Sequence, residues 1–214
     1  MTISMQSKGI EFERITGAEI NQLPIRSYDG PVSVVRDGQG LSKALKTLAR
    51  ERVLGFDTET RPAFKKGERH APALLQLAGA SSVFIFQLTL LGFPEQLRSV
   101  LGDAGRIKAG VALGHDVRML QALAPFTPEG FVELESIARR AGLKNFGLRG
   151  LAAAMLGVRI SKKARLSNWA VKNLTPDQVR YAATDAWISR ELYMRFEQRG
   201  DALRPQPDSI SASR

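Results

Sequence analysis

The chain has 214 residues, 43% of them hydrophobic, enough to bury one core and with no clear boundary for a second. It lacks cysteine, which excludes disulfides, thiolate catalysis and cysteine-ligated zinc, and no apolar run is long enough to span a membrane. Lys and Arg number 31 against 21 Asp and Glu, a net charge of +10, which favours a polyanionic partner.

The opening MTISMQSKGIEFERI has no apolar core of the kind a secretion signal needs, so a soluble, cytoplasmic protein is expected. Residues 1–30 are polar, carry Pro24 and Gly30 and are followed by Pro31, which reads as a loosely attached lead-in. Regular structure is predicted from VSVV (32–35), a short strand, followed by a helix in LSKALKTLARE with Leu41, Ala44, Leu45 and Leu48 on one face. VLGFDTE (53–59), ALLQLAGA (73–80) and SVFIFQL (82–88) read as strands, the last two joined as a hairpin. Between the first two lies RPAFKKGERHAP, a Pro-, Gly- and Lys-rich loop suited to contacting a substrate.

Further on, FPEQLRSVLG is helical, IKAGVAL (107–113) a strand, and DVRMLQALA a helix opened by Asp116. FVEL (131–134) leads into the helix ESIARRAG, and LRGLAAAMLG forms another, whereas SKKARLSNWAVKN is basic and irregular. Thr175-Pro176-Asp177-Gln178 is a strong helix start: Thr caps, Pro fits the first turn, Asp favours the dipole and Gln completes a capping box. That helix should run to about Gln198, with a single domain over 31–199 and a disordered tail over 200–214. The alternation of strands and helices predicts an α/β or α+β sheet flanked by helices.

The chemistry-bearing residues fall at the ends of these elements. Asp57 and Glu59 are two apart on a strand and so share a face, as do Tyr181 and Asp185, four apart on a helix. Asp116 follows the strand at 107–113. Acids placed just past hydrophobic strands call for a positive partner, and hard divalent cations prefer carboxylate oxygens. From Ser136 to Pro176 there is no acid but nine bases, which account for most of the net charge and suggest a phosphate polymer as partner. A solvated basic face is the plainer reading for several of them. Taken singly, each acid also has a plainer reading, as a strand-end polar residue, a helix cap or a surface group.

FDTE, the Asp116 segment and YAATD resemble, in order and context, the three motifs of the DEDD superfamily of 3′–5′ exonucleases. Tyr181 lies four residues before Asp185, and Arg180 stands where the histidine subtype has its His, so the resemblance is to the tyrosine (DEDDy) subtype. Within it, FKKG, ALLQLA, KAGVALGHD, FVEL, LSNW and LTPDQVRYAATDA are similar to the exonuclease domains of the Werner syndrome helicase, with ribonuclease D further away. The resemblance covers roughly residues 32–199 and implies a ribonuclease H-like α/β fold, a mixed sheet of about five strands between helices.

It also implies a metal-dependent 3′–5′ exonuclease that takes DNA or RNA with a free 3′ end and releases nucleoside 5′-monophosphates. Two divalent ions, Mg2+ or Mn2+, about 3.5–4 Å apart would activate a water and stabilise the leaving oxygen. Asp57 would bridge both ions, Glu59 and Asp185 would complete the water-activating site, and Asp116 would hold the second ion, through water ligands in part. Tyr181 would orient the water. Thr58, Thr60, Lys65, Lys66, Lys162, Lys163, Arg165 and Trp169 are candidates for contacting nucleic acid, with Phe64 and Arg69 beside them, although a packed structural role is the commoner one for such a Trp. His115 and His70 are the only histidines and give a histidine mechanism little to work with. A homo-oligomer is open, and the rival readings are a binding module with a vestigial site or a ribonuclease H-like endonuclease.

Overall fold

The structure is a computed structural model that describes residues 14–63, 65 and 67–202. Phe64, Lys66 and most of the expected tail lie outside the described residues. After a short helix α1 (Gly17–Gln22), the chain forms β1 (Val32–Val35), α2 (Gly38–Leu48), β2 (Val53–Thr60), β3 (Pro72–Ala78) and β4 (Val83–Gln87). Then come α3 (Leu88–Leu91), α4 (Glu95–Leu101), β5 (Ile107–Gly110), α5 (Leu113–Leu123), β6 (Phe131–Glu133), α6 (Leu134–Arg140), α7 (Gly147–Leu156) and α8 (Pro176–Gln198).

The six strands make one mixed sheet in the order β1-β4-β3-β2-β5-β6, one strand more than the resemblance implied. β3 runs antiparallel to both neighbours, while β1 with β4 and β2 with β5 and β6 are parallel. All of β3 and β4 is buried, as covered strands in a doubly flanked sheet must be. The hairpin between them closes through Gly79 N–H donating to the Ser82 carbonyl at 2.9 Å.

Side-chain alternation divides the core in two. Leu54, Phe56, Leu75, Leu77, Phe84 and Phe86 point to the face covered by α2, α4 and α5. Leu74, Ala78, Val83 and Ile85 point to the opposite face, where Ala182, Ala183 and Ala186 of α8 lie against them. The small residues of α8 let its backbone approach the sheet closely. Gly55 completes this fit, since a Cβ there would lie 1.8 Å from the Ala186 carbonyl oxygen. The start of α8 follows the sequence expectation: Gln178 N–H donates to Thr175 Oγ1 at 3.2 Å and Thr175 N–H to Gln178 Oε1 at 2.9 Å.

Two expectations need correction. The strand at 107–113 ends at Gly110, because Ala112 takes a left-handed conformation (φ 59°) and α5 begins at Leu113, so Asp116 sits within the first turn rather than opening the helix. The turn is held by Glu133, whose carboxylate accepts from Ala112 N–H at 3.1 Å and Leu113 N–H at 2.9 Å. Nor are residues 14–30 loosely attached. Ile25 bridges to Arg159, and Ile20 is buried. Among the described residues no helix is long and apolar enough to cross a membrane.

Candidate active site

The pleat that sends Phe56 into one core sends Gly55, Asp57 and Glu59 to the other face, beneath α8. Contact of α8 with β2 at Gly55 and Ala186 fixes the neighbouring Asp185 over the strand end. Carboxylate oxygens of Asp57, Glu59 and Asp185 consequently lie within 4.8 Å of one another. Asp116 is outside that set. It arrives on the first turn of α5, which follows β5 at the carboxyl ends of the parallel strands β2 and β5. Its charge still acts on Asp57 and Glu59.

With no cation present, this arrangement is electrostatically costly. Burial, then Glu59, Asp185 and Asp116, drives the Asp57 carboxyl well above its ordinary range. Burial, with Asp185 and Asp116, pushes Glu59 up to about 9. Asp185 rises to about 7 through burial, against the opposing effect of the Tyr181 hydroxyl. Asp116 rises to about 6 through burial, moderated by the Thr58 hydroxyl and by His115. Tyr181 is driven upward by burial and by the three neighbouring carboxylates, so it is a protonated donor throughout the neutral range.

The donor set suits a hard divalent cation. Oxygens from three carboxylates converge, and the buried Asp185 Oδ1 has no hydrogen-bond partner. A cation there would reverse the upward shifts by favouring the ionised forms.

The other expected contact residues divide. Lys162 and Arg165 line a groove that also contains Tyr181 and Asp185. Lys163 is exposed and pairs with Asp177 at 3.4 Å. Lys65 and Arg69 are exposed on the loop after β2, while Thr58 and Thr60 are half-buried on β2 itself. Trp169 requires a correction: it is 0% exposed, with its ring centroid 5.7 Å from that of Tyr181, so it supports the tyrosine from within the core and offers no face to a nucleobase. His115 is exposed beside Asp116 and lies outside the acid cluster.

Sequence reasoning missed two residues. Glu133, the anchor of the α5 turn, is the acid within FVEL, and its signal was a carboxylate at a strand end. Gln76 is cross-strand neighbour to Asp57 and fully buried, yet neither of its amide atoms has a partner. A polar residue within the otherwise apolar run ALLQLA was its only mark.

Comparison with known proteins agrees with this geometry. The mouse bifunctional 3′–5′ exonuclease/ATP-dependent helicase WRN is 34% identical over 155 residues, covering 70% of this chain and 11% of the mouse protein. The Drosophila melanogaster exonuclease 3′–5′ domain-containing protein 2 is 34% identical over 149 residues, 68% of this chain and 25% of that protein. The chain thus spans a quarter or less of the length of these relatives. Among solved structures, the EXO domain of Aedes aegypti Nibbler superposes with a TM-score of 0.74 at 22% identity, covering 81% of this chain and 92% of that one. Escherichia coli RNase D superposes with a TM-score of 0.69 at 18% identity, covering 79% and 46%. These structures share the ribonuclease H-like fold, a mixed sheet between helices. A family described as 3′–5′ exonuclease matches residues 32–201, and the chain belongs to that family.

Proposed function

We propose that this chain hydrolyses the terminal phosphodiester at the 3′ end of DNA or RNA and releases nucleoside 5′-monophosphates, as a member of the tyrosine (DEDDy) subtype. The observation that carries this reading is the convergence of Asp57, Glu59 and Asp185 on one point, with Tyr181 beside them and with Tyr181 and Asp185 lining a basic groove. Asp57, Glu59 and Asp185 would hold one divalent ion, Mg2+ or Mn2+, and Asp116 with Asp57 a second. Such ions supply a nucleophilic hydroxide at neutral pH and neutralise charge on the leaving oxygen.

The chain's own groups supply position and proton control. Tyr181 stays protonated, so its hydroxyl donates a hydrogen bond to the attacking water or to a phosphate oxygen and does not serve as a base. Trp169 behind its ring fixes the direction of that hydroxyl. Thr58 and Glu133 set the ionisation and placement of Asp116 from either side. Lys162 and Arg165 neutralise backbone phosphates along the groove.

The test is product identification. A single strand with a free 3′-hydroxyl is incubated with magnesium, manganese or EDTA, and the released species are resolved by chromatography. Nucleoside 5′-monophosphates appearing with either metal, and absent with EDTA and with Asp57→Ala, are expected. Nucleoside 3′-monophosphates or internal fragments would refute the reading.

A further inference from the structure

Residues 14–28 precede the family match, which begins at residue 32, yet they are fastened firmly to the body. Ile15 N–H donates to Asn145 Oδ1 at 2.9 Å, and Asn145 Nδ2 donates back to the Ile15 carbonyl at 2.8 Å. Arg149 donates to Asn21 Oδ1, and Arg159 Nε donates to the Leu23 carbonyl at 2.9 Å. Arg26 N–H donates to the Arg159 carbonyl, also at 2.9 Å. Tyr28 N–H donates to Thr184 Oγ1 at 3.0 Å, one residue from Asp185, while the Tyr28 ring packs against Trp187.

Held in this way, the segment walls a groove of about 720 Å3 that reaches Tyr181 and Asp185, within the range of about 300–1,000 Å3 typical of ligand sites. Its cations come from three places: Arg14 on the segment, Arg149 on α7, and Lys162 and Arg165 on the irregular stretch. Among the described residues the one acid on its walls is Asp185, 7% exposed, whose Oδ1 has no partner. Phe146, 37% exposed, adds an aromatic surface to the groove, with the Arg139 guanidinium 3.9 Å above its ring. Cations with a partly exposed aromatic along one groove suit a single strand of nucleic acid, whose phosphates and bases need both. A wall fixed in advance also reduces the ordering cost of binding.

We propose that residues 14–28 are a fixed strap completing the path of the single strand that leads away from the reacting 3′ end, and that Arg14 is a specificity-determining phosphate contact supplied from outside the shared family domain. The direction of the strand rests on the exonuclease reading above. Arg14 is exposed, so reversing its charge does not challenge the fold.

The experiment is anisotropy of a 5′-fluorescent 12-nucleotide single strand and of a blunt duplex, in EDTA so that hydrolysis does not intervene, across a salt series. Arg14→Glu weakens single-strand binding by about tenfold, the size of one charge-assisted hydrogen bond. It also lowers the slope of log affinity against log salt by about 0.7, one phosphate contact on a single strand. Asn145→Ala, which releases the Ile15 end of the strap beside Arg14 without removing its charge, weakens the single strand in the same direction. Unchanged affinity and slope in Arg14→Glu would overturn the proposal, as would an equal loss on the duplex. If these shifts appear while the wild-type protein releases no nucleotide, the exonuclease reading fails and the strap's part in binding stands.

Discussion

Gly55→Ala tests how the fold assembles the site. A Cβ on Gly55 would lie 1.8 Å from the Ala186 carbonyl oxygen and 2.8 Å from the Arg190 nitrogen, both backbone atoms, where ordinary contact begins at 3.4 Å. No side-chain rotation relieves this, so α8 must lift from β2 by an amount on the order of 1 Å. In a strand, Ala is otherwise favoured over Gly by roughly 0.5–1 kcal/mol. Overpacking a close backbone contact costs about 3 kcal/mol, so the steric effect wins. The net of about 2–2.5 kcal/mol corresponds, for a chain of this size, to a Tm lowered by roughly 4–10 °C. Asp185 and Tyr181 ride on the displaced helix while Asp57 and Glu59 stay on the strand. A misplacement of this size costs about 100-fold in rate. The assay pairs thermal unfolding with the rate of nucleotide release, and Gly38→Ala is the control, because nothing lies within 4 Å of that Cβ. A Gly55→Ala protein with wild-type Tm and rate would refute the reasoning that helix–strand contact sets the carboxylate cluster.

The remaining predictions concern charge and position. The carboxyls of Asp116, Asp185 and Glu59 titrate near 6, 7 and 9, above the ordinary carboxylate range, through burial first. The stability they contribute is therefore complete below about pH 4 and is lost as pH rises through those values. The Tm of the metal-free protein falls between pH 5 and pH 9, and saturating magnesium restores it. A flat or rising metal-free profile would contradict the clustered acids. Tyr181→Phe lowers kcat by about tenfold and leaves manganese affinity, read by calorimetry, unchanged; an equal loss of metal binding would remove its orienting role. Glu133→Ala frees the two N–H groups at the start of α5 and lowers stability by about 1–2 kcal/mol, seen in urea unfolding. An unaltered midpoint would show the α5 turn to be held otherwise.

Local sequence signals identified most of the scaffold. The Thr175 capping box, the apolar run that opens β2 and the apolar spacing of α2 each depend on neighbouring residues, and each appears where expected. What local pattern cannot convey is pairing over long separation. Ile15 is fastened by Asn145, 130 residues away, and Tyr28 by Thr184, 156 residues away, so a segment without periodicity reads as loose. The same holds at Ala112, where the carboxylate of Glu133 stabilises a left-handed residue that the apolar run IKAGVAL conceals. The basic stretch 136–176 combined two roles that composition merges. Arg139 pairs with Glu135, Lys163 with Asp177, and Arg159 holds the strap, whereas Arg149, Lys162 and Arg165 line the groove. Trp169 was ambiguous for a similar reason, since an aromatic beside basic residues suits either a stacking platform or a core, and burial places it in the core.

The central claim is that the carboxylate cluster consumes a nucleic acid from its 3′ end. A time course on a 5′-labelled linear strand, run with magnesium beside a covalently closed circle of the same sequence, tests it most directly. A ladder shortening by single nucleotides from the 3′ end, with the circle intact and Asp185→Ala inactive, is the predicted result. Cleavage of the circle, or a ladder undiminished in Asp185→Ala, would contradict it.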